Sequence, residues 1–98
     1  MAQYQIILSP RAQADLQNVH AYTLSTYGPG QAGKYLSLLE KGIHQLLDNP
    51  EIGRKRDDIK SGYRALSIEK HIIFYKIKET DIQILGVVHS RMDVTNQF

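Results

Sequence analysis

Basic and histidyl residues gather in the last half of the chain: Arg54, Lys55 and Arg56 form a run, Arg64 follows, and His89 and Arg91 stand close together near the end. Cutting RNA requires a base for the 2′-hydroxyl, an acid for the leaving oxygen and cations for the charged phosphorane. Arg64, His89 and Arg91 supply those residue types, so a ribonuclease is one chemistry the spacing allows. The same cations suit the carboxylates of a protein partner, or plain hydration, which is the usual fate of charge runs on loops. On residue type alone both readings stay open.

Other chemistries find less to use. His20, His44, His71 and His89 lack close ligand spacing, and neither an H-E-x-x-H segment nor an Asp/Asn calcium loop occurs, so no metal site is expected. No serine lies in G-x-S-x-G and no G-x-x-x-x-G-K-[ST] loop is present, which argues against hydrolysis or nucleotide binding through those motifs. Asp57 and Asp58 are neighbours on a charged stretch where both can be hydrated. No cofactor is expected, and the absence of cysteine removes disulfides and thiolate chemistry.

The elements that must position these residues are legible as patterns. Tyr4, Ile6 and Leu8 alternate with Gln5 and Ile7, the period of a strand with one buried face. Ser9-Pro10 then offers a capping hydroxyl and a proline at the first helical position. Ala12, Leu16, Val19 and Tyr22 or Thr23 form the apolar stripe of a helix ending near Tyr27. Tyr27-Gly28-Pro29-Gly30 turns the chain into a second helix with Ala32, Tyr35, Leu36, Leu39, Ile43, Leu46 and Leu47 on one face, stopped by Asn49-Pro50. Glu51 to Gly62 reads as an exposed loop. Tyr63–Ile68, His71–Lys78 and Ile82–His89 are rich in β-branched and aromatic residues and are separated by hairpin-length turns.

The expected order is therefore β-α-α-β-β-β, an α+β fold with an antiparallel sheet packed against an N-terminal helical hairpin. On the last strand, alternation puts Gln83, Leu85, Val87, His89 and Arg91 on one face and Ile82, Ile84, Gly86 and Val88 on the other. At 98 residues the expectation is one domain, 1–98. A composition 42% hydrophobic and 22% charged is that of a folded globule. The formal charge of +2 is small for a protein that grips many phosphates, so no direct sequence-specific nucleic-acid binding is expected. Met1-Ala2-Gln3-Tyr4-Gln5 is not a signal peptide and the apolar runs are strand-length, so no membrane association and a cytoplasmic address are expected.

Read end to end, the motifs resemble the ParE-type toxins of bacterial toxin–antitoxin pairs, within the RelE superfamily. They are Leu8-Ser9-Pro10-Arg11-Ala12 with Asp15-Leu16; Tyr27-Gly28 with Gln31-Ala32 and Tyr35; Asn49-Pro50 with Ile52-Gly53-Arg54; Gly62-Tyr63-Arg64; His71-Ile72-Ile73-Phe74-Tyr75; and Ile84-Leu85-Gly86-Val87-Val88-His89 with Arg91-Met92-Asp93. P-x-x-G-R and V-x-H-x-R-M-D point to the ParE branch. The resemblance implies a RelE-like fold and a protein that blocks DNA gyrase by binding, has no active site of its own and is neutralised by a ParD-like ribbon-helix-helix antitoxin. An acidic, amphipathic antitoxin segment would meet the apolar margin of the hairpin, the cations Arg54, Arg64 and Arg91, and the aromatics Tyr35 and Tyr63. The nuclease branch of the superfamily, which cuts messenger RNA on the ribosome, is the alternative. It uses basic residues with a Tyr or His close to the end of the chain, and neither follows Arg91 here. The Asp93 carboxylate would also repel an incoming phosphate.

Overall fold

The structure, a computed structural model, describes residues 3–92 and 97–98. β1 (Gln5–Leu8) leads into α1 (Pro10–Tyr27) and α2 (Pro29–Asp48), followed by β2 (Arg54–Lys55), β3 (Arg64–Ile68), β4 (His71–Lys78) and β5 (Asp81–His89). The strands form one sheet in the order β1-β5-β4-β3-β2. β3, β4 and β5 make the expected antiparallel meander, and with the two helices the fold is α+β. β1, however, joins it parallel to β5, so the sheet is mixed. A parallel neighbour demands a long crossover. Here the hairpin, β2, β3 and β4 all intervene before β5 arrives beside β1.

Ser9 starts α1 as its residue type predicts. Its Oγ accepts from the Ala12 N–H at 3.0 Å and donates to the Leu85 carbonyl at 3.2 Å, so one hydroxyl both caps the helix and fastens it to β5. The two helices meet more tightly than a four-residue turn. Gly28 alone separates them, with φ 91° and ψ 172°, a conformation that favours glycine, and Pro29 already opens α2. Ala32, Leu39, Ile43 and Leu46 of α2 are buried, whereas Tyr22 of α1 lies in solvent and Thr23 takes the buried position. The core joins Ala12, Ile43 and Leu46 to Ile73, Tyr75, Ile82, Ile84 and Val87 of the sheet.

Two further expectations about the sheet are corrected. The stretch from Glu51 to Gly62 is not all loop, because Arg54 and Lys55 pair with Ala65 and Arg64. A two-residue strand leaves almost no periodic signal. The second correction is a β-bulge. Phe74 pairs with Gly86 but Tyr75 pairs with Ile84, leaving Leu85 as the extra residue on β5. The bulge exchanges the faces beyond it, so Val87 and His89 lie on the helix-facing side with Ile82 and Ile84, apart from Gln83.

β1 covers only the first part of β5. Past it, α1 shields the open edge: an Asp15 carboxylate oxygen accepts the Val87 N–H at 2.9 Å. An unpaired strand N–H is thereby satisfied. Among the described residues, no helix is long and apolar enough to cross a membrane.

Candidate functional site

The strand register divides the candidate residues into separate groups. Arg64 pairs with Tyr75, and His89 pairs with His71 four positions further back on β4. At roughly 3.3 Å per residue and 4.8 Å per strand, Arg64 and His89 are about 16 Å apart across the sheet. They do not converge on one phosphate.

At one end, Arg64 serves the backbone. Its Nη1 donates to the Glu51 carbonyl at 3.1 Å and to the Gly53 carbonyl at 2.9 Å. The Tyr75 hydroxyl, beneath it, accepts the Gly53 N–H at 2.8 Å and donates to the Pro50 carbonyl at 2.8 Å. Burial pushes the Tyr75 hydroxyl above its ordinary pKa, so it stays a donor. A Cβ on Gly53 would overlap this hydroxyl, which explains glycine there without any appeal to function. The P-x-x-G-R motif and Arg64 thus form one structural staple holding the α2–β2 connection to the sheet. Beside it, a groove of about 460 Å³ runs between Tyr4, Pro50, Glu51, Arg64 and Ile77.

At the other end, His71 and His89 face each other across β4 and β5 with ring centroids 5.2 Å apart. They are not the unrelated pair that sequence spacing suggests. Tyr35 reaches down from α2, its hydroxyl 2.6 Å from His71 Nδ1 and accepting the Lys70 N–H at 3.1 Å. Burial first, and then the neighbouring His89, lower the His71 pKa. Burial, partly offset by the Lys70 N–H and reinforced by Glu69, raises that of Tyr35. The neutral pair therefore prevails at neutral pH. His89 Nδ1 accepts the Arg91 N–H at 3.1 Å. The Arg91 side chain is exposed beside it.

Arg54 is exposed and, through its pairing with Ala65, belongs to the face turned away from the helices. Tyr63 lies half-buried, edge-on to Phe98 at 5.7 Å. Arg56 grips Asp58 with two bonds of 2.9 Å, which holds that carboxyl below its ordinary pKa, while Asp57 accepts the Gly62 N–H at 2.8 Å. The two carboxylates shape the loop separately. Asp93 lies outside the described residues. Among the described residues, no three metal-ligating side chains cluster.

Sequence reasoning missed Tyr75 and His71. A tyrosine inside the apolar run His71–Tyr75 was the available signal, because a buried hydroxyl needs partners. The histidine pairing depends on register and left no signal in spacing.

The profile of the family described as ParE toxin of the type II toxin–antitoxin system, parDE, matches residues 6–94. The chain is 43% identical over 89 residues to Toxin ParE1 of Mycobacterium tuberculosis, covering 90% of this chain and 91% of that one. It is 30% identical over 86 residues to Toxin ParE1 of Caulobacter vibrioides, covering 88% of each. A solved structure described as a chromosomal ParDE system from P. aeruginosa superposes with a TM-score of 0.79 at 22% identity, over 89% of this chain and 96% of that one. The RelBE2 toxin–antitoxin complex of Mycobacterium tuberculosis gives 0.65 at 19% identity, over 89% and 98%. Both structures share the fold. The family match and the identities together place the chain in the ParE family of toxins of type II toxin–antitoxin systems.

Proposed function

We propose that this toxin acts by binding, with DNA gyrase as its target, and that a ParD-like antitoxin neutralises it. The observation that carries the non-enzymatic part is the dispersal of the cations: Arg64 is bound to two carbonyls at one end of the sheet, and His89, its Nδ1 occupied, sits at the other. Gyrase as target rests on the family alone. The antitoxin reading draws further support from α2, where a groove of about 720 Å³ sets Leu38 between Lys34 and Lys41. Leu38 is 43% exposed, and an acidic, amphipathic segment would satisfy both the leucine and the lysines. The solved relatives named above are a ParDE system and a RelBE2 complex, consistent with such pairing.

The competing reading is a ribosome-dependent ribonuclease using Arg64, His89 and Arg91. Replacing His89 and Arg91 together by alanine and expressing the chain without antitoxin distinguishes them. Retained growth arrest is the expected result. A folded, soluble double variant that has lost toxicity, while wild-type protein cuts ribosome-bound message, would favour the nuclease.

A further inference from the structure

The sheet face turned away from the helices carries Phe74, which has no exposure. It shares that face with its strand partners Ala65 and Gly86. Part of its cover comes from Phe98. The Phe98 ring lies 5.0 Å from that of Phe74, tilted by 58°, and 5.7 Å from Tyr63 at 86°. The Arg11 guanidinium stands 4.5 Å above the Phe98 ring centre. Gly86 forms the floor: a Cβ there would lie 3.1 Å from Phe98 Cζ, tighter than ordinary contact.

Recognition extends beyond the ring. Arg11 donates from Nη2 to Gln97 Oε1 at 2.8 Å and from Nη1 to the Gln97 backbone carbonyl. Asp15, 3.3 Å from Arg11 Nε, holds the guanidinium in place while it accepts the Val87 N–H. Among the described residues, no backbone–backbone hydrogen bond ties Gln97 or Phe98 to the fold. The socket thus reads an aromatic ring, a side-chain amide and a main-chain carbonyl, all of which a separate peptide can present. A planar cation over an aromatic face is a favourable and geometrically selective contact.

We propose that Arg11, Tyr63, Phe74 and Gly86 form a peptide-binding socket that the chain's own Gln97-Phe98 occupies, in competition with an extended partner segment carrying an amide residue followed by an aromatic one. Opening costs the contacts of two residues, and a partner segment of the same chemistry restores them. Gln97-Phe98 therefore sets a threshold on the partner's affinity.

The protein has two phenylalanines, Phe74 and Phe98, both in the socket, so fluorophenylalanine labelling reports on nothing else. A chain lacking residues 97 and 98 is titrated with an unlabelled synthetic peptide of the sequence of residues 93–98. The Phe74 fluorine resonance should shift saturably, with at least tenfold tighter binding than to the full chain and at least tenfold weaker binding after Arg11→Ala. A folded truncated chain that shows no saturable shift, or an affinity indifferent to Arg11→Ala, overturns the proposal. If truncation prevents folding, the full chain still decides. There, Arg11→Ala should move the Phe98 resonance to the position of free fluorophenylalanine, and an unmoved resonance counts against the socket.

Discussion

Tyr75 shows how a residue resembling core filling governs a neighbouring motif. Its hydroxyl satisfies the Gly53 N–H and the Pro50 carbonyl from inside the sheet. Tyr75→Phe would leave both without that partner, and a buried polar group left unpaired costs about 1–3 kcal/mol. Urea unfolding should register a loss in that range at unchanged m-value; an unchanged midpoint would contradict the staple. His71 gives a second prediction. Its folded pKa lies below the ordinary 6.5, so the unfolded chain binds more protons across the window between the two values. Its contribution to stability is complete above that window and is lost as pH falls through it. The groups facing it are Tyr35 from α2 and His89 from β5, and the Tyr35 hydroxyl in turn meets the Lys70 N–H and the Glu69 charge of the β3–β4 turn. The unfolding midpoint should therefore drop between pH 7.5 and 5.5, and His71→Gln should flatten that drop; parallel curves for the two proteins would refute the assignment.

The elements were mostly legible before their arrangement was. Both helices, the Ser9 cap and the β3–β4–β5 meander follow from local periodicity and turn chemistry, which neighbouring residues specify. The parallel docking of β1 and the two-residue β2 depend on partners far away in sequence. The bulge at Leu85 is similar: alternation through Ile82, Ile84, Gly86 and Val88 is unbroken in sequence, and only pairing with Phe74 and Tyr75 reveals the extra residue. This one bulge misplaced His89 and with it the imagined cationic face. The hairpin itself can be tested through its glycines. Gly28→Ala would force a side chain into a conformation that costs about 1–3 kcal/mol. Gly33, inside α2 with open space around it, should behave oppositely, Gly33→Ala stabilising by about 0.5–1 kcal/mol. Chemical denaturation of the two variants checks the pair, and a shift of the same sign in both would be incompatible with the helix boundaries.

For the whole molecule, the site was less legible than the fold because binding surfaces have no fixed spacing. Arg54, Tyr63 and Arg91 were chosen from residue type; Arg54 and Tyr63 lie near one end of the sheet, toward the face turned away from the helices, and Arg91 follows β5 at the other end. A partner that touched them all would have to run along the sheet from one end to the other, as a segment that folds on binding can. Co-expression with the product of the neighbouring open reading frame should yield a stable complex, and persistent failure to co-purify would remove the antitoxin pairing. The gyrase reading has the most direct test. Purified toxin added to a supercoiling reaction at micromolar concentration should inhibit gyrase and accumulate cleaved DNA, while leaving ribosome-bound message intact. Unimpeded supercoiling together with new cuts in that message would contradict it.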